Sequence, residues 1–465
     1  MSKTLPVLLL AFWVMGCQKS ADSKATQSTK PNIVFILADD CTNWDLGAYG
    51  SPDAITPNID RLAAEGMKFT RCYQAAPMCS PTRHNIFTGL YPVKTGAYPN
   101  HTFAKEGTKS IVQYLKPLGY RVALSGKRHI KPETIFDFEY LGKDKNPQFD
   151  LVEEFFQDAK SKHEPFALML TSNEPHNPWN MGDPSLFNPD SITLPPFFPD
   201  TRVIREEYVK YLAEINFLDG QVGTTLELLE KYGLTENTLV MFASEQGAIW
   251  PFAKWTGYEA GVKSALIVKM PGMIEPGSAF DGIMEYTDII PTFIELAGGN
   301  VPSILDGKSM VPILTGKQQS GKEYAFSLQT TRGINDGSDY YGIRTVVNNQ
   351  YRYIVNLTPE VEFFNTINND PKDPMPWFIS WTEAAKQDKE AAKWLTRFRQ
   401  RPAEELYDIN KDPWCLNNLA GDLANKEIMT KLKKELENWM VSCGDEGQPT
   451  EMAALEHMWK NQKGE

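Results

Sequence analysis

The sequence predicts an α/β protein in which a large, mostly parallel sheet is sandwiched by helices. Three observations predict it. The 465-residue chain carries a series of short, continuous apolar runs, as strands buried on both faces do. These runs alternate with segments of helical periodicity, which argues for parallel strands joined by crossover helices. Each run also ends in residues suited to binding metals or anions, at the sheet edge where parallel α/β folds place their ligands.

The first run, Asn32-Ile33-Val34-Phe35-Ile36-Leu37-Ala38, ends in Asp39-Asp40. Two adjacent carboxylates behind a buried strand are costly unless a cation sits between them, and hard oxygen ligands suit Ca2+ or Mg2+. Thr56-Pro57-Asn58-Ile59-Asp60-Arg61-Leu62 predicts a helix capped by Thr56, with Ile59, Leu62 and Ala63 at helical spacing and Gly66 as its stop. Cys79-Ser80-Pro81-Thr82-Arg83 predicts another helix start, because proline suits a first turn. Cys79 then sits at a helix N-terminus, where free amides and the dipole favour an anion. Arg83, one turn on, adds a permanent cation.

Three more runs follow the same rule. Tyr120 to Leu124 ends in Ser125-Gly126-Lys127-Arg128-His129, Phe166 to Leu170 in a loop holding Pro175-His176-Asn177-Pro178, and Thr238 to Phe242 in Ser244-Glu245-Gln246-Gly247. Tyr208 to Tyr232 is the clearest helix between them. A single strand-end lysine or histidine is most often structural. Repetition at four strand ends, using two of six histidines, is what argues for an enzyme. Beyond lie Lys254, a strand over Ala265 to Lys269, and a hairpin of Ile343 to Val347 and Tyr351 to Asn356 turning at Asn348-Asn349-Gln350. Pro359 to Arg401, rich in Trp and Phe, either lines a cleft or packs, and Met429 to Val441 is an amphipathic helix.

Composition is that of a globular protein, 42% hydrophobic and 23% charged. A net charge of −12 argues against nucleic acid as a partner, and any anionic substrate needs a local basic pocket. Lys3 and the apolar run Leu5 to Met15 fit a signal peptide rather than a membrane span. The run ends in Val14-Met15-Gly16-Cys17, which resembles a bacterial lipobox, so Cys17 would carry the lipid of an exported, periplasmic or cell-envelope lipoprotein. The expected organisation is a lipoprotein signal peptide over 1–17, a flexible tether over 18–30, a catalytic domain over 31–335 and a C-terminal subdomain over 336–465 with a small antiparallel sheet and a helix. Cys41, Cys72, Cys415 and Cys443 could pair or stay free, and none forms a C-x-x-C zinc pattern.

Cys79-Ser80-Pro81-Thr82-Arg83 followed by Thr88-Gly89 resembles the C-x-P-[SAT]-R-x4-T-G signature of type I sulfatases, in the alkaline phosphatase superfamily. Asp39-Asp40, Gly126-Lys127-Arg128-His129 and Pro175-His176-Asn177-Pro178 are similar to that family's D-D, G-K-x-H and P-H-x-P. So are Lys254 with Tyr258-Glu259-Ala260-Gly261-Val262-Lys263, and Glu405-Leu406-Tyr407-Asp408 with Asp412-Pro413 and Asn418-Leu419-Ala420. The resemblance implies an alkaline phosphatase-like fold, a large mixed, mostly parallel sheet sandwiched by helices with a smaller α+β C-terminal domain. Ala260 and Lys263 stand where the family has Gly and Arg, and Glu245-Gln246 where it has Asp with His or Asn. Each of that last pair is longer by a methylene, a change that calcium's flexible coordination tolerates better than magnesium's octahedron. Zinc does not suit such oxygen ligands.

By this resemblance Cys79 is converted by a formylglycine-generating enzyme, and the formylglycine hydrate attacks a sulfate ester. One Ca2+ held by Asp39, Asp40, Glu245, Gln246 and the residue made from Cys79 polarises sulfate and nucleophile. Arg83 and Lys127 position the hydrate, and Lys254 neutralises sulfate oxygens. His176 protonates the leaving alcohol, and His129 takes the second hydroxyl's proton to expel sulfate. The implied substrate is a sulfated carbohydrate. Two alternatives stand beside this: a phosphatase or phosphonate hydrolase of the same superfamily, and a non-catalytic glycan-binding lipoprotein.

Overall fold

The strand Asn32–Ala38 (β1) is wholly buried because it has strands along both edges and helices over both faces. The computed structural model describes residue 1 and residues 30–369 and 374–458. The segments expected to be a signal peptide and a tether, with Cys17, fall outside the described residues apart from Met1 and Lys30.

β1 pairs in parallel with Phe166–Thr171 (β5) and Thr238–Ser244 (β6). Beyond β5 lie Arg121–Gly126 (β3) and the two-residue Glu139–Tyr140 (β4), also parallel. On the other side, Lys263–Lys269 (β7) runs antiparallel to both β6 and Met67–Tyr73 (β2). Ser278–Phe280 (β8) and Met284–Glu285 (β9) then pair in parallel with β2. The sheet is thus mixed and mostly parallel, in the order β4-β3-β5-β1-β6-β7-β2-β8 with β9 beside β2.

Successive side chains of a strand point to opposite faces. Ile33, Phe35 and Leu37 enter one core, and Val34, Ile36 and Ala38 the other. On the first face Phe35 meets Phe87 and Phe293 edge-on, with ring centres 6.5 and 6.2 Å away. The second face is covered by the helix Arg202–Lys231. It starts well ahead of Tyr208, because the Thr201 hydroxyl accepts a hydrogen bond from the Ile204 amide and caps it. Thr56 does not cap its own helix as expected. Its hydroxyl accepts from the Gly47 amide and donates to Asp60 across the first turn.

Ala325–Thr330 (β10), Gly342–Val347 (β11), Tyr351–Asn356 (β12) and Glu404–Asp408 (β13) form a second, antiparallel sheet in chain order. The expected hairpin is its centre, and its first strand lies ahead of residue 336, on the other side of the expected boundary. The helix Lys426–Cys443 packs on it through Leu432, Leu436 and Trp439. The described residues of the segment from Pro359 to Arg401 pack against the core, with Trp377 and Trp381 completely buried. Cys41, Cys72, Cys415 and Cys443 are buried and form no disulfide among the described residues. No helix among the described residues is long and apolar enough to cross a membrane.

Candidate active site

Four adjacent parallel strands, β3, β5, β1 and β6, end at one edge, so the residues that follow them meet there. The ladder continues past the strand ends. The Asp39 amide donates to the Glu174 carbonyl at 3.0 Å, the Glu245 amide to Ala38 at 2.8 Å and the Lys127 amide to Thr171 at 2.8 Å. Asp40 leaves the strand with φ of 56°, a left-handed turn that holds its carboxylate beside that of Asp39.

Cys79 is the first residue of the helix Cys79–Thr88, buried along its whole length, with Pro81 in its first turn. The thiol donates towards Asp39 Oδ1 at 3.5 Å and Asp40 Oδ1 at 3.9 Å. The Gln246 amide donates to Cys79 Sγ at 3.3 Å and to Asp40 Oδ1 at 2.6 Å. Burial pushes the thiol's pKa far up, with Asp39 and Glu245 adding to it, so the unmodified sulfur stays protonated.

Three cations offset the three carboxylates. Arg83 is fully buried; it donates from Nε to Glu245 Oε1 at 2.7 Å, from Nη1 to the Lys127 carbonyl at 2.7 Å and from Nη2 to Asp39 Oδ2 at 3.4 Å. Lys127 pairs with Asp39, and Lys254 with Asp40 Oδ2 at 2.6 Å. Burial works against ionised Asp39, but Lys127, Glu245, His176 and Arg83 together hold it well below the usual carboxylate range. Burial pushes Glu245 up, Arg83 opposing it and Asp39 adding to it. Lys254 is held above its ordinary value by Asp40 in spite of burial.

The two histidines flank this centre. His176 Nδ1 donates to the Asn177 carbonyl at 2.5 Å, leaving Nε2 3.7 Å from Asp40 Oδ2. Burial lowers its pKa, against Asp40 and with Lys127 and Lys254. His129, at φ of 50°, has Nε2 3.2 Å from His101 Nδ1. Burial, Lys127 and His101 hold it well below the usual range, so it is a neutral base. His101 was not among the residues the sequence pointed to, because no motif or strand end surrounds it. It forms part of a hollow of about 320 Å3 with Arg332, Asn335 and Leu455, which opens beside His129.

The structure therefore brings Cys79, Arg83, Lys127, His176 and Lys254 to Asp39, Asp40, Glu245 and Gln246, and sets His129 two residues beyond Lys127. Trp250, on the loop before Lys254, is walled in by Trp179, Tyr208 and Trp377, with ring centres 4.8 to 5.4 Å away. Asp39, Asp40, Cys79 and Glu245 each offer a ligand atom within 4.8 Å of the others, all buried. Gln246 adds a buried amide oxygen with no hydrogen-bond partner among the described residues. Three carboxylates and an orphaned amide oxygen are a donor set for a hard divalent cation. With Arg83, Lys127 and Lys254 already neutralising the acids, such an ion would make the centre positive enough for an anionic ester.

The Sulfatase family model matches residues 31–299, and the model of the N-sulphoglucosamine sulphohydrolase C-terminal region matches 247–401. An ulvan-active sulfatase of Formosa agariphila is 33% identical over 451 residues, spanning 92% of this chain and 84% of its own length. Human N-sulphoglucosamine sulphohydrolase is 24% identical over 89% of this chain and 90% of its own. Among solved structures, a protein bound to its substrate D-glucosamine-2-N,6-O-disulfate superposes with a TM-score of 0.70 at 20% identity, covering 90% of this chain and 99% of that one. A phosphonate monoester hydrolase from Silicibacter pomeroyi superposes at 0.67 with 18% identity over 90% and 96%, so the fold alone does not choose the ester. Sequence and site together do: the chain belongs to the sulfatase family, as a type I sulfatase of the alkaline phosphatase superfamily, and is an enzyme that hydrolyses sulfate esters.

Proposed function

We propose that the protein removes sulfate from sulfated carbohydrate, using a formylglycine made from Cys79 and a Ca2+ ion held by Asp39, Asp40, Glu245, Gln246 and that modified side chain. The observation that carries this reading is Cys79 Sγ, 3.5 Å from Asp39 Oδ1 and 3.3 Å from Gln246 Nε2. A buried, protonated thiol is no nucleophile, yet this one lies within 4.8 Å of a carboxylate oxygen of each of Asp39, Asp40 and Glu245. Formylglycine supplies a hydrated aldehyde whose oxygen can attack sulfur, and calcium supplies a Lewis acid for sulfate oxygens.

The chain's own residues do the rest. Lys254 turns from Asp40 towards sulfate oxygens when the substrate enters, while Arg83 and Lys127 position the nucleophile. The same negative charge raises His176, so that Nε2 gains the proton it passes to the departing alcohol. His129, kept neutral, accepts a proton at the nucleophile's side. Arg83 keeps Asp39 and Glu245 in place. The sugar approaches over the His101 hollow. Support for carbohydrate comes from the relatives, an ulvan-active sulfatase and a structure holding a disulfated glucosamine.

Maturation calls for a formylglycine-generating enzyme as partner. The Val14 to Cys17 sequence supports the reading of an exported lipoprotein of the periplasm or cell envelope with a lipid on Cys17. Radiolabelled palmitate should enter the wild type and not Cys17→Ala. The deciding experiment measures sulfate release by ion chromatography from sulfated mono- and oligosaccharides, after co-expression with a formylglycine-generating enzyme. Release by the wild type and none by Cys79→Ala is expected. Equal release by both would overturn the mechanism. Phosphonate cleavage without sulfate release would favour the phosphonate hydrolase, and calcium-independent glycan binding without turnover the binding-only alternative.

A further inference from the structure

Arg401 follows the helix Lys389–Arg399 and leads into β13, and its side chain is buried, 3% exposed. Its Nε, Nη1 and Nη2 have no hydrogen-bond partner among the described residues. A guanidinium does not give up its charge in a protein and carries five donors. Leaving it buried and unpaired is among the costliest arrangements a fold can hold.

The surroundings explain its place but not its charge. The guanidinium carbon lies 3.8 Å from the centre of the Phe363 ring, with Tyr258 and Phe398 at 5.5 and 5.9 Å. Those faces attract a cation weakly. Carboxylates nearby are taken. Glu405 accepts from Tyr258, Tyr407 and Asn356 and sits 3.7 Å from Arg397. Glu362 lies 3.6 Å from Arg399, Glu404 accepts from Tyr353 and Lys433, and Glu360 is exposed. The buried carboxylate of Glu405 thus lies beside Arg397, and the charge of Arg401 is left without a counter-ion among the described residues. Phe363 also meets Tyr341, ring centres 5.2 Å apart, and Tyr341 is fully buried with its hydroxyl unpartnered among the described residues. Burial pushes that hydroxyl up to about 12, and Arg401 pulls against it, so the two groups sense one another.

We propose that Arg401 is the core of a buried site for a small monovalent anion of chloride type, which accepts from the guanidinium and from the Tyr341 hydroxyl. The residual charge is one, the unpartnered groups at its heart are donors, and the wall is aromatic, which suits a weakly hydrated, spherical anion. The site lies behind Tyr258, the residue that leads into the short helix Glu259–Val262 after the Lys254 loop, and it is independent of the reaction assigned above.

The test is thermal unfolding of the full chain in sodium chloride and in sodium gluconate at matched ionic strength. Wild type should gain several degrees with chloride, in a saturable manner, as a ligand of the native state does. Arg401→Met should melt at the same temperature in both salts. Superimposed wild-type curves, or a chloride dependence that survives in Arg401→Met, would overturn the site. Crystals of the wild type grown in bromide decide the case in which the variant does not fold: an anomalous peak beside the guanidinium supports the site, and density for water alone rejects it.

Discussion

Arg83 and Glu245, 162 residues apart in the chain, meet in a fully buried ion pair with Nε 2.7 Å from Oε1. The same guanidinium reaches Asp39 and the Lys127 carbonyl, so one side chain ties the ends of β1, β3 and β6. Arg83→Met leaves two buried carboxylates without it. Unfolding in urea at neutral pH should show a loss of about 3–5 kcal/mol. Arg83→Lys should recover part of that stability and little sulfatase activity, because an ammonium lacks the fork.

Calcium dependence follows from the donor set. Dialysis against a chelator should lower the melting temperature and stop turnover, and Ca2+ should restore both better than Mg2+. Glu245→Gln removes one ligand charge and should raise the calcium concentration needed by about tenfold or more. Full activity after exhaustive chelation would remove the ion from the mechanism.

Asp45 gives stability a pH dependence opposite in sign to that of a salt-bridged acid. Burial raises it from the usual 3.8 to about 6, against hydrogen bonds from the Tyr208 and Tyr211 hydroxyls at 2.6 and 2.9 Å. The folded protein thus holds this proton more tightly than the unfolded chain. Its stabilising contribution is complete below about pH 4 and is lost as pH rises through about 6. Asp45→Asn cannot titrate. The stability of wild type relative to this variant should therefore fall between pH 4 and pH 6.5 in parallel denaturation series.

Gly126 ends β3 at φ of 106°, and an added Cβ would lie 2.0 Å from the Thr171 carbonyl oxygen. Gly126→Ala must move β3 away from β5 and carry Lys127 off Asp39. Activity should drop by about a hundredfold or more with a visible loss in melting temperature. Unchanged kinetics would show that Lys127 tolerates displacement.

Trp377 connects the C-terminal region to the catalytic loop, 5.3 Å from Trp250. Trp377→Ala should cost about 3–5 kcal/mol and lower kcat by loosening the Lys254 loop. A stability loss with kcat intact would confine its role to packing.

The catalytic edge was legible in the sequence because its strands are continuous apolar runs and its loops carry motifs. β1 is apolar from Ile33 to Ala38, and Asp39-Asp40 stood out through the cost of buried charges together with the family's D-D motif. β2 was not legible. Its Met-Lys-Phe-Thr-Arg-Cys-Tyr alternates, and a register shift between Phe69 and Cys72 breaks the period. The start of the long helix was masked by Arg202, Arg205, Glu206 and Glu207, which are charged where apolar residues would mark a face. His101 and Arg401 lack any local signature. Their surroundings come from segments far away in the chain, which no window of sequence contains.

The depth of Cys79 sets an order of events in the life of the protein. Its sulfur is sealed in part by Gln246, which leaves the ribosome 167 residues later, and only 3% of the side chain stays accessible afterwards. Any enzyme that alters this cysteine has to catch it while the chain is still threading or unfolded. On the proposed conversion of Cys79, a molecule still unconverted when Thr238–Ser244 docks against the first strand would stay so, and the yield of active protein would be decided by a race between modification and folding.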